Sequence, residues 1–75
     1  MGKLRKLSGR DVCRILEQHG FLNVRQRGSH IVMQKLTTEH STITVPVPAH
    51  KELKTGTLHS IIRQSGLPKS LFEAN

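Results

Sequence analysis

The stretch FLNVRQRGSHIVMQKL, residues 21–36, decides how this chain folds. Two runs of strand-forming residues flank Gly28 and Ser29, which predicts a two-residue β-hairpin turn of type II′ with glycine at the first central position. A turn of fixed length also fixes which residues lie opposite each other in the two strands. The predicted cross-strand pairs are Arg27 with His30, Arg25 with Val32, and Val24 with Met33.

Side chains alternate between the two faces of this predicted hairpin. The more apolar face is expected to meet the core, and it carries Leu22, Val24, Gln26, Ile31, Met33 and Lys35. The other face is expected to meet solvent or a ligand, and it carries Asn23, Arg25, Arg27, His30, Val32 and Gln34. The alternation thus predicts a histidine beside two arginines on the exposed face.

A helix is expected before the hairpin. Ser8 and Asp11 have the spacing of a capping box, with aspartate in place of the usual glutamate, and Leu7 and Val12 hold the positions of a hydrophobic staple. Apolar residues then recur at helical spacing until Gly20, which is expected to end the helix.

A third strand and a second helix are expected after the hairpin. In STITVPVP, residues 41–48, valine and isoleucine alternate with threonine and proline, and the prolines end this strand or place it at a sheet edge. The second helix is expected over roughly residues 56–65, with Thr55 as its cap and Gly66 as its end. The last residues are expected to form one more helical turn that packs back on the core.

These elements predict an α+β fold in the order α-β-β-β-α. The expected architecture is a three-stranded antiparallel sheet with two helices on one face and the other face open. The 75 residues suffice for one small domain, over residues 1–75. Apolar residues make up 35% of the chain and aromatic residues 3%, so the core has to rest on leucine, isoleucine and valine.

The charge balance favours a polyanionic partner. Lysine and arginine number 12 against 5 aspartate and glutamate, which gives a formal net charge of +7. Such a surplus favours RNA, DNA or an acidic protein as partner, although a domain that is merely basic has the same composition. With no Trp and no Tyr, stacking of bases on aromatic side chains is disfavoured as the main means of binding.

Several classes of protein are disfavoured by features that the sequence lacks. The single cysteine excludes an internal disulfide framework and fits a reducing cytoplasm. No apolar segment of signal-peptide or membrane-spanning length is present, so we expect a cytoplasmic protein without membrane contact. The five histidines show no metal-ligand spacing and no phosphate-binding glycine loop is present, so we expect no metal and no cofactor.

His30 is the strongest candidate for a catalytic group. The hairpin register places it beside Arg27 and near Arg25, next to a turn with free backbone N–H groups. RNA carries its own nucleophile, the 2′-hydroxyl, so its cleavage needs a group that moves a proton and positive charge that stabilises the phosphorane. From the residue pattern alone, a surface histidine on a basic face that binds RNA or protein without catalysis is the more common explanation.

Three segments together carry a resemblance to a known family. RGSH, residues 27–30, leads into a strand, and TVPVPAHKELKTGTLHSIIRQSGL follows at residues 44–67. The opening KLSGRDVCRILEQHGF, residues 6–21, completes the pattern. In this order the segments resemble the HicA family of type II toxins, over roughly residues 5–68.

The resemblance implies a double-stranded-RNA-binding-domain-like fold and an mRNA interferase, an endoribonuclease that cleaves mRNA and arrests translation. It implies that His30 is the catalytic residue and that a HicB-type antitoxin covers the toxin and blocks its active site. We further expect RNA contacts from Arg25, Arg27, Gly28, Ser29, His50, Lys51 and Lys54. For the last three, a structural role in the turn and the helix start is at least as strong an explanation.

Two other functions stay open at this point. One is a non-catalytic RNA-binding module of the same fold, and the other is a protein-interaction domain whose basic surface meets an acidic partner. Met33 stands where the family often has an aromatic residue, so the core beneath the site is expected to be packed differently.

Overall fold

The computed structural model of the chain describes residues 2–74. Its elements are helix α1 (Gly9–Gln18), strands β1 (Leu22–Arg27), β2 (His30–Leu36) and β3 (Thr42–Pro48), helix α2 (Thr55–Ser65) and a 3₁₀ helix (Lys69–Phe72). The strands form one antiparallel sheet in the order β1-β2-β3. The predicted α-β-β-β-α order, the double-stranded-RNA-binding-domain-like α+β fold and the additional helical turn are confirmed.

The core lies between the two helices and one face of the sheet. Phe21 and Phe72, the two aromatic residues of the chain, are both fully buried there among aliphatic side chains. The sheet contributes Ile31, Met33, Val45 and Val47, and the helices contribute Val12, Ile15, Leu16, Leu58, Ile61 and Ile62. The opposite face of the sheet is left open, as predicted.

Helix α1 begins with the predicted capping box. The Ser8 hydroxyl oxygen accepts a hydrogen bond from the Asp11 N–H at 3.0 Å, and the Asp11 carboxylate accepts one from the Ser8 N–H at 3.0 Å. Leu7 and Val12, the predicted staple, are both buried. Gly20 takes a φ of 94° just beyond the helix, which ends α1 where the sequence predicts.

Helix α2 departs from the prediction at its first residue. The N-cap is Lys54, which has an extended backbone and no side-chain cap, so the assignment of Thr55 as the cap is wrong. Leu53 explains the difference, because its side chain is buried and its N–H donates to the Leu7 carbonyl at 2.8 Å. With Leu53 held in this way, the helix begins one residue earlier than expected and ends at Gly66 as predicted, with a φ of 72°.

Strand β1 departs from the predicted register at one residue. The pairs nearest the turn form as predicted, but Val24 is an extra residue in a β-bulge, and Asn23 pairs with Met33. The prediction that Val24 faces Met33 is therefore wrong.

The burial of Phe21 explains this bulge. Phe21 is fully buried, and its N–H donates to the Leu16 carbonyl at 3.0 Å. Strict alternation would place Phe21 on the same face as Arg25 and Arg27, which are exposed. The extra residue at Val24 shifts the alternation of side chains by one position, so the residues before it project to the opposite face from the one that strict alternation gives. The Phe21 ring therefore enters the core while the arginines stay on the open face.

The same reversal changes which side chains of β1 meet the helices. Leu22 and Val24 were predicted to face the core, but 69% of Leu22 and 46% of Val24 are exposed, so that prediction is wrong. Asn23, predicted on the open face, takes the helix side because it pairs with Met33. Ile31 and Met33 are buried in the core as predicted.

Loss of the Ser8 hydroxyl is expected to lower the free energy of unfolding by about 1 kcal/mol, because it removes the side chain that caps α1. The measurement is urea unfolding of Ser8→Ala followed by circular dichroism. Thr55→Ala is the matched control, since no side chain caps α2. An equal loss of stability in both variants would contradict the role of the capping box.

Asp11 is expected to contribute to acid unfolding. The hydrogen bonds from the Ser8 N–H and hydroxyl, aided by the charges of Arg14 and Arg5, lower the pKa of Asp11 below its ordinary value. Its contribution to stability is therefore present above the unfolded pKa and is lost as the pH falls through the folded pKa. Asp11→Asn should lie furthest below the wild type in stability near neutral pH, and the difference should shrink below about pH 4. A difference independent of pH in urea unfolding would refute this.

Candidate functional site

The hairpin turn is built by backbone geometry at Gly28. This glycine has a φ of 58° while Ser29 has a negative φ, as the predicted type II′ turn requires. A Cβ added at Gly28 would meet no atom within 4 Å, so glycine is needed here for its backbone angle and not for space. The Gln26 side-chain amide donates to the Gly28 carbonyl at 3.2 Å and braces the turn.

His30 lies at the start of the middle strand, directly after this turn. It pairs with Arg27 of β1 on one side and with Pro48 of β3 on the other. Side chains of directly opposed residues stand about 4.5–5.5 Å apart at Cβ, so His30 and Arg27 are immediate neighbours. Both are exposed, and both lie on the face away from the helices.

Arg25 extends the basic cluster along β1. It pairs with Val32, which shares the open face with His30 because the two are two residues apart in β2. Val32 is only 8% exposed although it faces away from the core, and its partners on the two sides are Arg25 and Pro46. We refer to Arg25, Arg27 and His30 as the basic cluster.

The segment that follows β3 runs beside the hairpin turn. The Ala49 N–H donates to the Ser29 carbonyl at 2.6 Å, and the His50 carbonyl accepts a hydrogen bond from the Gly9 N–H at 2.9 Å. At Gly9, the first residue of α1, an added Cβ would contact the Pro48 carbonyl oxygen. Residues 48–50 are therefore held between the hairpin turn and the start of α1.

This arrangement brings several of the predicted site residues together. Gly28, Ser29 and the exposed His50 lie around the basic cluster, and the exposed Lys51 follows directly in the chain. Lys54 is the exposed N-cap of α2 and follows the buried Leu53, and none of its hydrogen bonds joins it to the hairpin turn within residues 2–74. Gly9, which the sequence analysis did not single out, proves necessary to seat the segment that carries His50.

The charges of the basic cluster are not neutralised within the described chain. Among residues 2–74 the ion pair is that of Arg14 and Asp11, with 3.4 Å between Nη1 and Oδ1. Arg25 and Arg27 thus have no carboxylate partner there, and their positive charge is available to a phosphate. No side chain in the same residues forms a hydrogen bond with the His30 ring.

Other features of the described residues contribute little to the open face. A pocket of about 320 Å³ lies beside α1, and its lining residues are Arg5, Asp11, Arg14, Ile15, Gln18, His19 and Leu71.

Burial raises the pKa of the Cys13 thiol, which disfavours the thiolate that a nucleophilic cysteine requires. Within residues 2–74, no three His, Cys, Asp or Glu side chains are grouped so as to hold a metal ion, and no helix is both long enough and apolar enough to span a membrane.

Comparison with known proteins places this chain in a family. The family model of the HicA toxin of bacterial toxin–antitoxin systems matches residues 9–67, which run from the first residue of α1 to just beyond α2. The chain belongs to the HicA toxin family. The family resemblance of the sequence segments is thereby confirmed, and membership of a toxin–antitoxin family implies an antitoxin partner for this HicA-family toxin. No curated protein and no solved structure matches the chain.

Gly28→Ala is expected to lower the free energy of unfolding by roughly 1–2 kcal/mol, because a side chain is disfavoured at positive φ. The matched control is Gly56→Ala in α2, where an added Cβ meets no atom within 4 Å. That control should be neutral or stabilising by up to about 1 kcal/mol, because alanine favours the helix. Urea unfolding compares the two, and equal stabilities would contradict the assigned turn geometry.

Proposed function

We propose that this HicA-family toxin is an mRNA interferase, a metal-independent endoribonuclease in which His30 acts as general acid or base. The observation that carries the proposal is the register of the hairpin, which sets His30 directly across from Arg27 on an exposed face. The two arginines of the basic cluster have no carboxylate partner among residues 2–74. A proton-transfer group and uncompensated positive charge thus share one small accessible area.

The proposed reaction uses the 2′-hydroxyl of RNA as the nucleophile. As the 2′-oxygen bonds to phosphorus, its proton passes to a base, and the bond from phosphorus to the 5′-oxygen breaks as that oxygen takes up a proton. His30 is suited to one of these two transfers. Arg27 and Arg25 are suited to stabilise the negative charge that develops on the phosphoryl oxygens. None of these steps requires a metal ion.

The remaining proposed RNA contacts differ in their support. Gly28 and Ser29 shape the turn beside His30 and offer backbone N–H groups. His50 and Lys51 extend the RNA path from there, which the hydrogen bond between Ala49 and Ser29 supports. Lys54 has the weakest support because no hydrogen bond within residues 2–74 joins it to the hairpin turn.

The proposal also assigns the setting in which the toxin acts. Residues 1–75 act as a single toxin domain in the cytoplasm, where mRNA is accessible. A HicB-type antitoxin covers the open face and blocks access to His30. The exposed face, whose arginines have no carboxylate partner among residues 2–74, suits such an inhibitor when the inhibitor is acidic.

A second candidate function is a non-catalytic RNA-binding module of the same fold. It is favoured by the absence of any hydrogen bond that orients the His30 ring within residues 2–74. In that case binding weakens steeply with salt, through release of counterions, and RNA stays intact during long incubation. Cleavage of RNA by the purified wild type in EDTA rules this function out.

His30→Ala is expected to reduce RNA cleavage in EDTA by roughly 10²–10⁴-fold, the usual cost of losing one general acid–base group. The matched control is His59→Ala, which removes an exposed histidine of α2 on the helix side of the sheet and should cleave as the wild type does. Circular dichroism confirms that both variants fold. Equal cleavage by the wild type and a folded His30→Ala would overturn the proposal.

A further inference from the structure

The exposed large apolar side chains of residues 2–74 gather in one corner of the sheet. They are Leu22 with 69% of its surface exposed, Leu36 with 66% and Val24 with 46%. All three lie in β1 or β2, near the ends of these strands that are remote from the hairpin turn. Exposed apolar residues that cluster in this way mark contact sites more often than scattered ones do.

The register places the two leucines on the open face as diagonal neighbours. Leu22 pairs with Gln34, and Leu36 lies two residues further along β2, so its side chain emerges on the same face. Diagonal positions of this kind are about 7–8 Å apart, within reach of two leucine side chains. We refer to Leu22 and Leu36 as the leucine pair.

The leucine pair and the basic cluster occupy opposite ends of one face. His30 is the first residue of β2 and Leu36 is the last, so the two ends lie about 20 Å apart at the usual rise per residue. A partner that spans the face would therefore meet positive charge at one end and aliphatic surface at the other.

RNA is disfavoured as the ligand of the leucine pair. Phosphate groups gain nothing from an aliphatic contact, and bases of single-stranded RNA stack by preference on aromatic rings or guanidinium groups, which neither leucine offers. A second copy of this chain is disfavoured as well. It would bring a net charge of +7 against +7, with Arg25 and Arg27 on the face that would have to pair.

We propose that the leucine pair is the apolar anchor by which the antitoxin holds this toxin. The occupant is a protein that places apolar side chains on Leu22 and Leu36 and acidic side chains toward the basic cluster. Membership of a toxin–antitoxin family implies that this chain has an antitoxin as its protein partner. The proposal rests on the proposed function in two respects, namely that the antitoxin covers the open face and that the opposite end of this face binds RNA.

In this proposal, inhibition by the antitoxin and cleavage of RNA depend on different parts of the open face. The charged end serves both RNA and the antitoxin, whereas the leucine end serves the antitoxin alone. Loss of the leucine pair should therefore release the toxin from its antitoxin without impairing cleavage of RNA.

The test uses the full chain with both leucines replaced, Leu22→Ser together with Leu36→Ser. Titration of this variant with the antitoxin, followed by calorimetry, should show a dissociation constant weaker by roughly 30-fold or more, the usual consequence of truncating an interface anchor. RNA cleavage in EDTA by the free variant should match the wild type. Its urea unfolding should be unchanged too, because both side chains are exposed.

The matched control keeps the apolar character of both positions, Leu22→Met together with Leu36→Met. It should bind the antitoxin as the wild type does, since methionine preserves the apolar surface. Unchanged antitoxin affinity in the serine variant would overturn the proposal, as would an equal loss in the methionine variant. A wild-type toxin that is dimeric in light scattering, with a monomeric serine variant, would assign the pair to self-association and overturn the proposal as well.

These measurements remain informative if the proposed function fails. Should the wild type leave RNA intact, the antitoxin titration still reports on the leucine pair. Should the titration show no effect, the comparison of wild type with His30→Ala still reports on cleavage.

Discussion

Closure of β1 onto β2 by two turn residues is the constraint on which the rest of the site depends. Gly28 adopts a φ of 58°, and this allows a turn short enough to set Arg27 opposite His30. The second ladder of β2 then sets Pro48 on the other side of His30. The site is therefore a consequence of backbone pairing, which a sheet holds more rigidly than a flexible loop would.

The same pairing reaches beyond the sheet. Because β3 pairs with β2, the Ala49 N–H donates to the Ser29 carbonyl beyond the end of the ladder. The carbonyl of the following residue, His50, accepts a hydrogen bond from the N–H of Gly9, the first residue of α1. Gly9 permits that approach because a side chain there would contact the Pro48 carbonyl oxygen. The turn, the segment after β3 and the start of α1 thus stabilise one another around the basic cluster.

Much of this could be predicted from the sequence, since it depends on local signals. The capping box at Ser8 and Asp11, the glycine that ends each helix and the Gly28 turn all act within a few residues. The bulge at Val24 could not be predicted from the hairpin alone, because it arises from a competition between the turn register and the burial of Phe21.

Two further misses have the same physical origin. Thr55 has the residue type of a cap, but the start of α2 is set by the tertiary hydrogen bond of Leu53 to Leu7. The need for a small residue at Gly9 depends on how closely residues 48–50 approach it, which only the folded chain reveals. In each case a contact between distant parts of the chain overrides a local preference. Such contacts affect the surroundings of the site, whereas the position of His30 opposite Arg27 follows from the short turn alone.

The most direct test of the proposed chemistry is mass spectrometry of the RNA fragments that the toxin produces in excess EDTA. Attack by the neighbouring 2′-hydroxyl predicts a 2′,3′-cyclic phosphate, or the 3′-phosphate formed by its hydrolysis, on one fragment and a 5′-hydroxyl on the other. The same ends should be depleted when His30 is replaced by alanine. Fragments with 3′-hydroxyl and 5′-phosphate ends, or cleavage that requires a divalent cation, would contradict a role for His30 in metal-independent proton transfer.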